Sequence, residues 1–407
     1  MVPGKNTWIR IAVINLAIVA VLGAVMRYKI GFALPFLDQK FLQEAHSHFA
    51  FTGWITHTLY FLLVNVFRSS LPSIHEKGYR LLILGNLLTA YGMLVSFAIQ
   101  GYGPVSIVFA SLSILIGYLF VWRALKDAGR LPDHHPGKNW IKAALWFSVL
   151  STLGTMVLSW MMATRQYDQE TYLASVYFYL HFQYNGWFLF ACFGIFLDSI
   201  RHFDLKARLV RYSFLFFGIA AIPAYFLSTL WANIPGWLYG AVIIAAFLQI
   251  TGWYYFIKLI RENLSQLRVS FSRLVLLLFL AVGLALTLKL ILQLGSTVPA
   301  ISKLAYSFRP IVIAYLHLVL LLIISVFLLA FMYGTGLLRQ NKATRIALLM
   351  FAIGVILNET VLAVQGIWSF SYTVIPYANE ALFGIAMLML ISLLLLAAFQ
   401  LSPDKSD

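Results

Sequence analysis

Two segments of the sequence place a histidine in the same aromatic surroundings. His48 lies in EAHSHFAFTGW and His181 lies in YLHFQYNGW, and both segments read H-F-x-[F/Y]-x-G-W when these histidines are aligned. His317, in AYLHLVLLL, matches the pattern more loosely. Imidazole is a strong axial ligand of haem iron, and copper also accepts it when several imidazoles are close together. The shared pattern favours a cluster of metal-ligating histidines, and haem fits the aromatic surroundings better than copper does. The alternative is that the three histidines are unrelated residues of the protein core.

The composition indicates an integral membrane protein. The chain has 407 residues, 61% apolar and 11% charged, which leaves too little polar surface to cover a soluble fold. A bilayer core of about 30 Å requires a helix of about 20 apolar residues, and the runs found here are too long and leucine-rich for barrel strands. We therefore expect an all-α polytopic membrane protein with twelve transmembrane helices. The runs lie near residues 8–26, 43–67, 79–99, 104–124, 140–163, 173–197, 211–230, 236–257, 272–293, 309–332, 343–365 and 377–399.

Membrane topology explains the net charge of +15. If the N-terminus is cytoplasmic, most Lys and Arg residues fall in cytoplasmic loops, which is the positive-inside pattern. Both termini are then cytoplasmic, a bacterial inner membrane is the expected location, and nucleic acid is not an expected partner. The few cations at or near the outer boundary are Arg27, Lys29, Lys40, Arg165, Lys289, Lys303 and Arg309.

The nine histidines separate by position. An ionisable side chain inside an apolar run is costly and marks a functional hypothesis. His48, His181 and His317 share a depth of roughly 8 to 12 Å below the outer boundary, at 1.5 Å per helical residue. His46 lies about 200° from His48 around the helix, so the two cannot face one centre. His57 lies about 16 Å deeper than His46 and is predicted to be structural. The loop histidines, which we expect to be solvated, are His75, His134, His135 and His202.

The chain is predicted to form one integral domain, residues 1–407, because no linker or low-complexity segment divides it. The histidine segments open the second, sixth and tenth runs, so the interval of four helices suggests three four-helix units. Cys192 is the only cysteine, and the C-x-x-C-H motif for covalent haem attachment does not occur. A bound haem would then be of the b type.

This arrangement resembles subunit I of the haem-copper oxidase superfamily, in which twelve helices carry outer-side histidines on helices two, six and ten. AHSHFAFTGW is similar to the H-x-H-x-x-x-x-G-W opening of helix two in divergent members related to cbb-type oxidases, and in a haem- and copper-containing family linked to nitric oxide response. The resemblance implies that His317 and either His46 or His48 are axial ligands of a low-spin haem. The internal repeat favours His48, whereas the superfamily pattern favours His46.

The resemblance also implies a degenerate second metal site. His181 stands where helix six contributes a histidine to that metal, and Asn185 stands where nitric oxide reductases have a glutamate. Tyr315 replaces the helix-ten histidine of the catalytic haem, and residues 211–230 lack the paired histidines of helix seven. One or two b haems are expected, copper is doubtful, and a normal oxygen-reducing centre is not expected. Tyr315 would be a phenolate ligand or, more simply, a packing aromatic.

The function implied by the resemblance is electron transfer or the handling of nitric oxide or oxygen. Quinol or a partner redox subunit would be the electron donor, a diatomic gas would be the ligand, and oxidase or nitric oxide reductase activity is a weaker form of this interpretation. The alternative is a haem-free transporter or channel on the same scaffold, with histidines lining a polar or metal pathway.

Five other polar residues also have predicted roles. Arg309, Lys303 and Arg27 are expected to be haem-propionate partners or snorkelling side chains. Glu359 and Glu380 are expected to be proton carriers or hydrogen-bonding groups.

Overall fold

The computed structural model describes residues 5–302, 308–371, 373 and 375–401, which form helices and loops without a strand. The predicted all-α class is confirmed. A short helix, Leu264–Ser270, connects the eighth and ninth long helices. The long helices, labelled in chain order, are α1 (Lys5–Gly31), α2 (Gln39–Ser70), α3 (Glu76–Gln100), α4 (Pro104–Arg130), α5 (Lys138–Thr164), α6 (Gln169–Leu180, His181–Phe188 and Leu189–Ser199), α7 (Ala207–Ala221 with Pro223–Thr229), α8 (Gly236–Glu262), α9 (Arg273–Gly295), α10 (Arg309–His317, Leu318–Ser325 and Val326–Gly334), α11 (Lys342–Ser369) and α12 (Ala378–Leu401).

Within the described residues, ten helices are long and apolar enough to cross a membrane, and the two parts of α7, which meet at 48°, make eleven if they form one span. The α6 helix is not among them, because polar side chains such as Gln183 and Asn185 interrupt its apolar middle. Large apolar side chains such as Leu88 and Ile99 are exposed on the helices. Such extensive apolar exposure is rare on soluble proteins and is expected where helices face lipid.

The chain divides into two compact units. Unit 1 comprises the described parts of residues 1–65, 73–120 and 325–407, and unit 2 comprises those of residues 66–72 and 121–324. Within unit 1, α1 packs along α12, α12 packs along α11, and α2 packs against α3. Within unit 2, the most extensive packing joins α7 to α8, α5 to α6, and α8 to α9.

A π-helical segment interrupts each of the three helices that carry the matching histidines. These segments are Ala50–Thr56 in α2, His181–Phe188 in α6 and Leu318–Ser325 in α10. Each begins at, or within two residues of, the aligned histidine. Short π segments are rare inside α-helices and are frequent at functional sites. The aligned sequence segments therefore share a local backbone form as well as a motif.

Buried side-chain amides hold the π segment of α2 in unit 1. Asn15 of α1 donates to the Gly53 carbonyl and accepts from the Tyr91 hydroxyl at 2.7 Å. Asn86 of α3 donates to the Thr52 carbonyl at 3.0 Å. A lipid bilayer offers no partner to an unpaired backbone group, so irregular backbone at membrane depth requires donors from neighbouring helices. Asparagines on α1 and α3 meet this requirement.

Glycine allows α5 and α6 to approach closely in unit 2. A Cβ atom on Gly154 would lie 2.5 Å from the carbonyl oxygen of Ser175 and 2.9 Å from the backbone nitrogen of Tyr179. Backbone atoms cannot rotate away from such a contact, so the two helices would have to separate.

We expect Gly154→Ala to lower the free energy of unfolding by about 1 to 3 kcal/mol, the usual cost of an overpacked interior. Reversible unfolding in a detergent and denaturant mixture measures this change. Gly240→Ala in α8 is the matched control, since a Cβ there has no neighbour within 4 Å. Equal stability of the two variants would contradict the close packing of α5 on α6.

Candidate functional site

His46 of α2 faces α1 in unit 1. Its Nδ1 lies 3.1 Å from the Val19 carbonyl oxygen, which can only accept, so Nδ1 carries the proton and donates. A neutral imidazole has one ring proton, and Nε2 is then the nitrogen with the lone pair. Gly23 leaves room beside the ring, because a Cβ on that residue would lie 3.5 Å from Cε1 of His46.

His48, also in unit 1, contacts different residues. Its Nε2 lies 3.0 Å from the Tyr102 hydroxyl, and its ring stacks on Phe97 at 4.2 Å with an interplanar angle of 5°. The Tyr102 ring packs edge-on against both. The imidazole of His48 is therefore engaged by an aromatic cluster through the ring face and through Nε2.

His57 lies fully buried near the middle of α2. Its Nε2 donates to the Trp8 carbonyl at 3.3 Å, and its ring packs against the Trp8 indole with centroids 5.8 Å apart. Its Nδ1 has no hydrogen-bond partner in the part of the chain that the structure describes. This packing fits the predicted structural role of His57, which stays a prediction.

His317 ends the first segment of α10, in unit 2. Its Nδ1 lies 2.8 Å from the Ile313 carbonyl oxygen one turn earlier and donates to it, so Nε2 again carries the lone pair. The next residue, Leu318, begins the π segment of α10. His317 and His46 thus have the same tautomer, fixed in each case by a backbone carbonyl.

His181 has protein partners on both ring nitrogens. Its Nε2 donates to the Ala221 carbonyl at 2.9 Å, and its Nδ1 lies 3.2 Å from the Asn185 side-chain amide nitrogen, which donates to it. Ala221 ends the α-helical part of α7 just before Pro223, where the helix bends and continues as a 3₁₀ segment. Helix ends leave carbonyls without backbone donors, and the imidazole of His181 supplies one.

A second metal centre stays a prediction. Both nitrogens of His181 have protein partners, and within the described ranges there is no group of three or more His, Cys, Asp or Glu side chains that could hold a metal ion. Tyr315 packs against Tyr184 of the α6 π segment, with ring centroids 6.3 Å apart, and the two phenols are hydrogen-bonded. This contact agrees with the packing interpretation of Tyr315.

The predicted propionate partners are only partly described. Arg27 is half-buried near the end of α1, and Lys29 donates to the Leu34 carbonyl at 2.7 Å. Lys303 lies outside the residues that the structure describes. Arg309 is the first residue of α10, but the structure does not describe its side chain. Their roles stay predictions.

The two membrane carboxylates have different surroundings. Glu359 is half-buried on α11 and accepts from the Asn358 amide at 3.1 Å. Glu380 is exposed in the first turn of α12, where a negative charge interacts favourably with the helix dipole. A hydrogen-bonding or capping role accounts for both placements, and proton transfer stays a prediction.

One expectation about the loop histidines is wrong. His135 is buried, with Nε2 3.0 Å from the Asp198 carboxylate and Nδ1 accepting from the Gly137 amide at 3.2 Å. Asp198 also pairs with Arg201, which donates to the Ser70 hydroxyl at 2.7 Å. This network joins the ends of α2 and α6 to the loop between α4 and α5. Burial by distant segments has no local sequence signal, which explains the error; His75, His134 and His202 are exposed as expected.

The long apolar helices and their exposed apolar side chains define an all-helical integral membrane protein in contact with lipid. No protein-family model matches the chain, and comparison with curated proteins finds no match. The resemblance to oxidase subunit I therefore stays a prediction from the histidine segments.

Proposed function

We propose that this chain is a b-type haem protein of the membrane, related to subunit I of the haem-copper oxidases, with His46 and His317 as axial ligands. Its function is electron transfer or the handling of a diatomic gas such as nitric oxide or oxygen. Bound haem would supply a one-electron iron centre or an iron site for the gas. The residues of the chain orient the ligand nitrogens and exclude water from their surroundings.

The observation that carries the proposal is the common tautomer of His46 and His317. A histidine that ligates a metal nearly always donates its other ring N–H to a carbonyl or carboxylate, which fixes the ring and raises its basicity. Val19 and Ile313 supply such carbonyls at 3.1 and 2.8 Å. His48 lacks this arrangement because its Nε2 is near the Tyr102 hydroxyl. The tautomers therefore favour His46 over His48.

The π segments provide further support. They occur in α2, α6 and α10, the same helices that the resemblance assigns to the metal sites. A widened turn costs hydrogen-bond geometry and is usually retained for a purpose. The histidine motif and the π segment occur together in all three helices. This favours a common origin of the three segments and an arrangement of the chain as three units of four helices.

The topology in this proposal has twelve spans and cytoplasmic termini in a bacterial inner membrane. The asymmetric distribution of Lys and Arg supports the orientation. Helix α6 is the additional span: its polar side chains find partners inside the protein, as His181 does with Ala221. Quinol or a partner redox subunit would donate electrons, and copper has no part in the proposal.

An absorption spectrum of the purified full-length protein tests this function. We expect the dithionite-reduced protein, expressed with ample haem supply, to show a Soret band and an α-band, and elemental analysis to find iron without stoichiometric copper. A protein that folds and remains monodisperse but shows neither band would overturn the haem proposal. The haem-free transporter or channel would then be the better interpretation.

A further inference from the structure

Basic side chains gather where α7 begins and α8 ends, within unit 2. Lys206, the residue before α7, pairs with Glu262, the last residue of α8, at 3.3 Å between Nζ and the carboxylate. Residues 204–212 and 254–262 together hold five cations and two carboxylates, so positive charge is in excess. Four of these cations are exposed, and none of the four pairs with a carboxylate among the described residues: Arg208, Arg211, Lys258 and Arg261.

Two tyrosines connect α7 to α8 beside these cations. The Arg208 guanidinium lies over the Tyr212 ring, 5.2 Å from its centroid, and the Tyr212 ring lies 5.2 Å from the Tyr255 ring on α8. Lys258 follows Tyr255 by three residues, so it lies beside it and one turn nearer to the helix end. Tyrosine is enriched where hydrocarbon meets headgroups, and arginine and lysine reach from there toward the headgroups. This end of the α7–α8 pair therefore lies at a membrane boundary.

The same helix faces become apolar toward the middle of the membrane. Each helix carries two exposed apolar side chains, 11 and 14 residues from its cation. These intervals are close to three and four whole helical turns, so the apolar side chains and the cation share one face. The apolar side chains are 54% to 62% exposed: Ile219 and Ile222 after Arg208 on α7, and Phe247 and Ile244 before Lys258 on α8.

We infer that the surface formed by α7 and α8 binds an anionic phospholipid. The phosphate lies beside Arg208 and Lys258, and the acyl chains lie along the apolar faces that include Ile219 and Phe247. A guanidinium can donate two parallel hydrogen bonds to a phosphate, and these charge-assisted bonds are stronger than neutral ones. Basic residues at a membrane surface attract anionic headgroups, which carry no cation of their own to oppose them.

The apolar faces distinguish a lipid from a free phosphate ion. A free ion would satisfy the cations and leave the exposed isoleucine and phenylalanine side chains uncovered. A phospholipid covers both parts of the surface at once, because its charge and its acyl chains are arranged in the same order as the cations and the apolar side chains of the two helices.

Phosphatidylglycerol is a suitable probe, with phosphatidylcholine as the zwitterionic comparison. The thermal unfolding midpoint of the full-length protein, delipidated in non-ionic detergent, is measured as either lipid is added to the same mole fraction of the micelles. We expect phosphatidylglycerol to raise the midpoint more, and in a saturable manner, because a ligand that binds only the folded state stabilises it. Arg208→Gln and Lys258→Gln should each weaken the apparent affinity roughly fivefold, the factor that corresponds to the attraction of one basic residue for an anionic membrane surface.

Arg268→Gln is the matched control. Arg268 is an exposed cation of unit 2 on the short helix Leu264–Ser270, which does not span the membrane. This variant should keep its affinity for phosphatidylglycerol within about twofold of the wild-type value, less than the loss of one headgroup contact. Arg208 and Lys258 are exposed, so their variants are expected to fold, and the wild-type comparison of the two lipids needs no variant.

Three results would overturn the inference. The first is an equal effect of phosphatidylglycerol and phosphatidylcholine on the wild-type midpoint. The second is an equal effect of glycerol phosphate, which has the phosphate without acyl chains and would identify a free-anion site. The third is an affinity that is unchanged in both Arg208→Gln and Lys258→Gln, or lowered as much by Arg268→Gln, because the attraction would then belong to the whole basic boundary.

Discussion

His317→Ala is expected to abolish the six-coordinate, low-spin haem spectrum. The variant loses the imidazole whose Nδ1 is held by the Ile313 carbonyl. Loss of a supporting group alone weakens metal sites by about 10- to 100-fold, so loss of the ligand should reduce the low-spin α-band by at least about tenfold. Reduced absorption spectra and electron paramagnetic resonance of the oxidised protein measure the change.

His46→Ala and His48→Ala form a matched pair on one helix turn. We expect His46→Ala to give the same spectral loss as His317→Ala, because Val19 fixes Nε2 of His46 as the lone-pair nitrogen. We expect His48→Ala to retain the low-spin spectrum, because its ring is packed on Phe97 and hydrogen-bonded to Tyr102. The reverse result would show that the internal repeat, and not the tautomer, identifies the ligand. Retention of the spectrum in both variants would remove α2 from the iron site.

His181→Leu is expected to lower the free energy of unfolding by about 2 to 6 kcal/mol without changing haem content. Leucine fills much of the space but leaves the Ala221 carbonyl and the Asn185 amide unpaired, and each buried polar group left without a partner costs about 1 to 3 kcal/mol. Denaturant unfolding in detergent gives the stability, and a pyridine haemochrome assay gives the haem content.

His202→Leu is the control for this variant, because His202 is exposed in the loop after α6. We expect its stability to remain within about 0.5 kcal/mol of the wild-type value, as is usual at exposed positions. A His181→Leu protein of unchanged stability that loses iron or copper would show instead that His181 is a metal ligand. In that case the hydrogen bonds to Ala221 and Asn185 would be replaced by coordination when metal is present.

The sequence is a reliable guide to the helices because bilayer thickness imposes one length on every span. The predicted run 140–163 lies within Lys138–Thr164, and the run 236–257 lies within Gly236–Glu262. The run 211–230 is less well predicted, since Pro223 removes a backbone donor and bends α7. The exact ends depend on local caps, such as the Asp38 carboxylate that accepts from two amides at the start of α2.

The candidate site is predicted only in part by the sequence. The pattern around His46, His48, His181 and His317 indicates which imidazoles are unusual, but it does not distinguish a ligand from a structural histidine. That distinction depends on the atoms facing each ring nitrogen, and three of the four rings face partners from other helices or a distant loop, such as Val19 for His46 and Ala221 for His181. The sequence places Lys289 among the cations at or near the outer boundary, but the residue is buried in the folded protein. Its burial depends on helices that are distant in the chain and leaves no local sequence signal.

The sequence by itself therefore determines the all-helical membrane class, the approximate spans and the helices that carry the histidines. These properties follow from apolar length and from the order of residues along one helix. Only the tertiary structure decides the tautomer of His46, the structural bonds of His181 and the burial of Lys289. A hydrogen bond within the membrane depends on which donor or acceptor a neighbouring helix places within about 3 Å, and that neighbour is remote in the chain.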